Sequence, residues 1–181
     1  AEAIATEDGE EILVRGVVAS SLVVQSGFVL IDETGVLPIR VYSSDVLNGL
    51  SLGDEVIVSG KRSHYMSSSG KAGNSCLDEA TIAMNLHGGH AYSTASFETT
   101  DVASLHAKSV AEDSTAQGYI LQARIERNVG SHSTTYSVSD GVNSIMLYSS
   151  SGSQYAWLDD YLEGEVYIEM LLCNWNAKAD Y

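Results

Sequence analysis

Basic residues are scarce in this chain of 181 residues: nine Lys and Arg stand against 24 Asp and Glu, a formal net charge of −15. The deficit runs through both halves, with five basic against twelve acidic residues up to Ser96 and four against twelve beyond it. Nucleic acids are held largely through neutralised phosphates, so this field disfavours nucleic acid as a partner unless a local basic patch overcomes it. Apolar runs of the roughly 18 residues needed to span a bilayer are also missing, and no membrane insertion is expected. Cysteine is limited to Cys76 and Cys173, with no CxxC and no paired histidines nearby. That excludes a zinc framework and leaves either two small buried side chains or one disulfide. Ala1 to Glu11 carries five acids where a signal peptide needs a basic and apolar leader, and no initiating Met is present. The chain therefore reads as a mature or trimmed fragment.

Catalytic signatures are equally thin. There is no nucleophilic triad, no paired acid and base, and no GK[ST] after Ser67 to Gly70. His87 and His90 lack a third ligand, and Asp159, Asp160 and Glu163 lack the alternating spacing of a calcium loop. No metal, no cofactor and no enzymatic activity are expected.

What the chain does have is β-branched and apolar alternation. Gly27 to Asp32 and Val36 to Tyr42 are two strands joined by an acidic turn that closes on Gly35. A shorter form returns as Thr135 to Gly141 and Asn143 to Tyr148, so one β unit repeats. Ahead of the first hairpin, Ile12 to Ala19 is a strand with Gly16 at a bend or bulge. After it, Ser43 to Leu50 is a short helix ended by Gly49, Val56 to Arg62 a fourth strand, Ser67 to Asn74 a flexible loop, and Cys76 to Leu86 a fifth strand. Ala1 to Glu10 reads as a solvated lead-in.

Strand, hairpin, short helix, hairpin, in that order, resembles an OB-fold module. The pieces are Val14-Arg15-Gly16-Val17-Val18, Gly27-Phe28-Val29-Leu30-Ile31-Asp32 with Thr34-Gly35, Ile39-Arg40-Val41-Tyr42, and Leu52 to Gly60. They resemble bacterial OB modules of multidomain secreted or surface proteins, some of them beside nucleases. The resemblance implies an extracellular or cell-surface location and a binding role.

The second half follows the same plan more loosely. Thr100 to Ala107 is a capped helix at the domain junction, Tyr119 to Glu126 the first strand with Ala123 in the place of Gly16, Tyr155 to Gly164 the helix, and Glu165 to Trp175 the fourth strand. Too few residues remain for a fifth. The expected architecture is all-β, two tandem OB-like five-stranded Greek-key barrels over residues 1–96 and 97–181, the second lacking its last strand. Either the natural chain continues past Tyr181, the favoured reading, or the open edge pairs with another chain.

Alternation sorts the strands into faces. With Leu37, Ile39 and Val41 inside, Pro38, Arg40 and Tyr42 point outward; with Phe28 and Leu30 inside, Val29 and Ile31 point outward. OB folds bind oligonucleotides or oligosaccharides on this outer face of strands two and three with the adjoining loops. The candidate ligand face of the first barrel is Arg40, Tyr42, Lys61, Arg62, His64, Tyr65 and Lys71, which includes four of the nine basic residues. The matching set in the second barrel, Ser137, Ser139, Ser144, Met146 and Tyr148, has no cation. Ten tyrosines, with Ser, Asn and Gly, are also the palette of sugar-binding and protein-binding surfaces. Tyr155, Trp157, Tyr161, Tyr167 and Trp175 are candidates for such a patch, but Trp157 and Tyr161, four apart, are expected to face the second barrel. The functional expectation is a non-catalytic module for an oligosaccharide or protein ligand, with single-stranded nucleic acid as the alternative.

Overall fold

Eleven residues of mixed apolar and charged character, Glu11–Ser21, form β1 of a computed structural model. It describes residues 2–21, 27–41, 47–66, 72–110, 116–131, 133–147 and 155–172. The described chain divides into two units. The first comprises Ala1–Phe97, Thr115–Gly118 and Leu171–Asn174; the second comprises Glu98–Ser114, Tyr119–Met170 and Trp175–Tyr181.

In the first unit β1 is followed by β2 (Gly27–Asp32), β3 (Gly35–Arg40), β4 (Glu55–Met66) and β5 (Ala72–Leu86). They close a barrel in the order β1-β2-β3-β5-β4, antiparallel throughout except where β3 and β5 run parallel at Ile39 and Leu77. This is an OB-like, all-β architecture. The β2–β3 turn forms because Asp32 Oδ1 accepts hydrogen bonds from the Thr34 amide, the Thr34 hydroxyl and the Gly35 amide at 2.7, 2.6 and 3.0 Å. Phe28, Leu30, Leu37, Ile39, Val56, Val58 and Leu77 fill the interior.

Three features depart from the sequence expectation. The bulge in β1 falls between Val18 and Ser20, not at Gly16. Residues 2–10 are not a solvated lead-in: Glu2–Ala5 forms a helical turn, α1, and Ala3 and Ile4 pack against the barrel core. The outward residues of β2 and β3 are also buried, with Val29, Ile31 and Val36 at 0%, 1% and 1% exposure among Ala19, Phe97 and Leu171. Pro38 is buried too. A Cβ on Gly118 would collide with the Phe97 ring, so a residue without a side chain is what lets that ring settle over the sheet. The first half of the helix expected over Ser43 to Leu50 lies outside the described residues. Its end is described: Leu50 N donates to Leu47 O at 3.1 Å and Gly49 takes φ +78°.

The second unit holds β6 (Glu98–Thr99), α2 (Val102–Val110), β7 (Gln117–Val129) from Tyr119 on, β8 (Thr134–Ser139), β9 (Ser144–Leu147), a 3-10 helix (Ala156–Tyr161) and β10 (Val166–Leu172) up to Met170, the remaining residues of β7 and β10 belonging to the first. The sheet order is β10-β7-β8-β9, with β6 pairing in parallel to β7. Among the described residues no strand bridges β9 to β10, the place that β5 takes between β3 and β4. Helix α2 begins where the Ser104 amide donates to Asp101 Oδ1 at 2.7 Å, buries Val102 and Leu105, and packs against β9. The β8–β9 turn repeats the device of the first hairpin: Asp140 Oδ1 accepts from the amides of Val142 and Asn143 at 2.8 and 2.6 Å. Register agrees as well, since Val17 lies opposite Ile31 one step from Asp32, and Arg124 opposite Ser139 one step from Asp140.

Two predictions follow from this packing. Ile31→Ala should destabilise the chain by about 3 kcal/mol, as much as Leu30→Ala, because both faces of β2 are dry. Urea unfolding tests it, and a loss no greater than that of Leu13→Ala, at a 69% exposed site, would show the outer face to be open. The hydrogen bonds at Asp140 from Asn143, and at Asp101 from Ser104, hold both carboxyls below their ordinary 3.8. A depressed folded value adds stability that is present above 3.8 and lost as pH falls through the folded value. Unfolding midpoints measured across that acid range should fall less steeply in Asp140→Asn than in the parent.

Candidate binding surfaces

The seven candidate residues of the first barrel meet different fates. Arg62, on β4, is 3% exposed. Its Nε donates to Ala3 O at 3.1 Å, Nη1 to Asp8 Oδ1 at 3.2 Å and to Ser63 O, and Nη2 to Ile4 O at 3.3 Å and Ser75 Oγ at 2.6 Å. A guanidinium has five N–H hydrogens, and here each meets an acceptor. Arg62 therefore clamps the amino-terminal helix to the barrel and has nothing left for a ligand. His64, two residues on, is anchored by the same carboxylate, with Nδ1 at 2.7 Å from Asp8 Oδ2.

Lys61 and Arg40 are also engaged. Lys61 Nζ lies 2.5 Å from Glu79 Oε2, and that hydrogen bond raises the ammonium pKa. Arg40 Nη1 lies 3.2 Å from Asp78 Oδ1. Tyr42 and Lys71 lie outside the described residues, as does the side chain of Tyr65. Lys61, Arg62, His64 and Tyr65 do fall together on β4, but each described cation of the set has a carboxylate partner. Sequence reading overlooked those partners. The partner of Lys61 depends on the β4–β5 register, in which Lys61 stands opposite Asp78 yet bonds to its neighbour Glu79.

A second cluster forms where β5 ends. Asp54, 3% exposed, accepts from Ser51 N at 2.9 Å, Asn85 Nδ2 at 3.0 Å and His87 Nδ1 at 3.2 Å. The Asn85 bond, then the Ser51 amide, holds its carboxyl below 3.8. Asn85 and His87 line an open groove with Asn48, Leu50, Thr81 and Ile82. His90 N donates to Gly53 O at 2.7 Å, which ties the His87 to His90 segment to the β4 entry turn. Among the described residues no group of three His, Cys, Asp or Glu side chains could hold a metal ion. Cys76 is buried and unbridged, and burial pushes its thiol up to about 11; Cys173 lies outside the described residues.

The third surface is aromatic and belongs to the second unit. Trp157 and Tyr161 do not face the sheet: they are 61% and 47% exposed, with ring centroids 6.1 Å apart at 79°. Leu158 is the residue this 3-10 helix buries; Trp157, next to it, is turned away, and Tyr161 stays half-exposed although it lies one full turn beyond Leu158. Beneath the pair, Leu158 is buried and Asp159 accepts from the Tyr136 hydroxyl at 2.8 Å, with Arg127 Nη1 at 3.3 Å.

No protein-family model matches the chain, and no curated protein matches it. Among solved structures, a complex of the Ifi202 HINa domain with 20-base-pair double-stranded DNA aligns at a TM-score of 0.40 and 13% identity, over 77% of this chain and 73% of that one. A structure concerned with the molecular basis for abrogation of activation of pro-inflammatory cytokines aligns at 0.40 and 14%, over 77% and 75%. A third, concerned with structural mimicry for functional antagonism, aligns at 0.37 and 12%, over 84% and 85%. Likeness at this level assigns neither ligand nor partner.

If Arg62 is a clamp, Arg62→Ala leaves five part-buried acceptors without their donor and should cost about 3 kcal/mol of stability. Lys61→Ala, at an exposed ion pair, should cost well under about 1 kcal/mol. Thermal and urea unfolding of the two variants check this; equal, small losses would return Arg62 to the list of available cations.

Proposed function

We propose that the chain is a non-catalytic binding module of OB type within a larger extracytoplasmic protein, and that its ligand is an oligosaccharide or protein met by the aromatic surface of the second unit. The observation that carries this reading is the exposed Trp157–Tyr161 pair on a helix anchored by Leu158 and Asp159. Large rings held in water on an anchored support offer contact area at little entropic cost. Asp160, exposed beside them, suits hydroxyl or basic donors and repels phosphate. The extracytoplasmic setting rests on the resemblance of the first half to modules of secreted and surface proteins.

A second reading, single-stranded nucleic acid on the first unit, is favoured by one observation: an OB-like barrel whose β4 carries Lys61, His64 and Tyr65 in close succession. Against it stand the neutralised cations and the buried outer face of β2 and β3.

One experiment separates the two. The chain is applied to a glycan array and titrated with a labelled oligodeoxythymidine at low and moderate salt, each with the parent, Trp157→Ala and Lys61→Ala. The aromatic reading expects salt-tolerant glycan binding that Trp157→Ala weakens by about tenfold or more, roughly 1.4 kcal/mol. Oligonucleotide binding that falls steeply with salt and with Lys61→Ala would replace it with the second reading.

A further inference from the structure

The chain contains a single Asn–Gly pair, Asn48–Gly49, and the fold places it in a particular setting. Both residues are exposed and both line the groove that also contains His87. The turn around them is closed by Leu50 N donating to Leu47 O, so the Gly49 amide is not the one that closes it. Outside the adjoining residues no heavy atom stands within 4 Å of where a Gly49 Cβ would lie, and φ is +78° there, so glycine is the residue the backbone favours. Opposite, the buried Asp54 carboxylate takes the His87 Nδ1 hydrogen bond at 3.2 Å, which makes Nε2 the basic nitrogen of the neutral ring. The His87 side chain is 68% exposed.

We propose that Asn48–Gly49 is a self-modifying site, deamidated by its own backbone with His87 as the proton carrier. The Gly49 nitrogen forms a bond to the Asn48 side-chain carbonyl carbon while its proton passes to His87 Nε2. The carbon–nitrogen bond of the side-chain amide then breaks, and the imidazolium returns the proton to the departing group, which leaves as ammonia. The five-membered imide that remains adds one water across either of its two carbon–nitrogen bonds, giving an aspartyl or isoaspartyl residue at position 48. No oxidant, metal or cofactor enters the balance. The product places a new carboxylate in the groove, a few residues from Asp54, and so changes a neutral polar lining into an acidic one. This reaction is independent of either binding reading.

The test is a time course of the intact folded chain in neutral buffer at 37 °C, followed by peptide mass mapping and ammonia release. The parent should gain about one mass unit on the peptide spanning position 48, an amide becoming an acid. Asn48→Gln should gain none there, because its longer side chain does not close the five-membered ring. His87→Gln should react on the order of tenfold more slowly, the loss expected when a positioned base is removed. A folded parent that keeps its mass while the same chain in urea gains it would overturn the site. Equal rates in the parent and His87→Gln, both folded by circular dichroism, would overturn the part given to the imidazole.

Discussion

The first unit depends on one buried guanidinium. Arg62 sits at 3% exposure on β4, and five acceptors drawn from α1, Asp8, Ser63 and Ser75 surround it. A charged group taken out of water is tolerable only when its donors are satisfied, and Arg can satisfy all five because the fork is planar and rigid. The Arg62 backbone closes the same arrangement, its carbonyl accepting from Gly9 N and its amide donating to Glu10 O, both at 2.8 Å. Glu11 then lies opposite Lys61 at the start of β1. The amino-terminal turn, the β1–β4 register and the β4–β5 hairpin are thus linked through a single residue that a charge map would have placed on the surface.

A second constraint is that the barrel hides both faces of its central hairpin. Phe28, Leu30 and Ile39 face inward, while Val29, Ile31 and Val36 are equally dry on the other side. Strands buried on both faces read as continuous apolar runs, and Gly27 to Ile31 and Val36 to Ile39 are such runs. The face that OB folds commonly lend to ligands is here covered by Phe97 and Leu171, which joins this region to parts of the chain far off in sequence.

That distance explains what could and could not be read beforehand. The strands and both Asp-closed turns were legible because alternation, Asx bonding and glycine positions act over a few residues. A capped helix near Thr100 was legible for the same reason; the cap is Asp101 and the helix runs on to Val110. The burial of Arg62 was not, since its carbonyl acceptors at Ala3 and Ile4 are nearly sixty residues away. Nor was the pairing of Lys61 with Glu79, which requires knowing that the β4–β5 ladder shifts register between Ser59 and Lys61. Trp157 was misplaced for a local reason of a different kind: the residue that this short helix buries is its neighbour Leu158.

The charge balance then limits what any surface of the chain can recognise. With 24 acids against nine bases, every cation spent inside the structure removes a disproportionate share of the attraction available for an anion. Arg15 is bound to Glu55 at 2.6 Å, Arg40 to Asp78, Lys61 to Glu79, Arg62 to Asp8 and Arg127 to Asp159. These pairs tie strands together and ease the self-repulsion of an acidic chain, and among the described residues only Arg124 and Lys108, the latter over the Tyr119 ring, are basic side chains outside them. Such a surface selects as much by what it repels as by what it holds. A polyanion pays for every unpaired acid it passes, whereas a neutral hydroxylated or basic ligand meets acceptors. On that ground the exposed rings of Trp157 and Tyr161, bordered by Asp160, carry more weight than a basic face whose charges have already been matched from within.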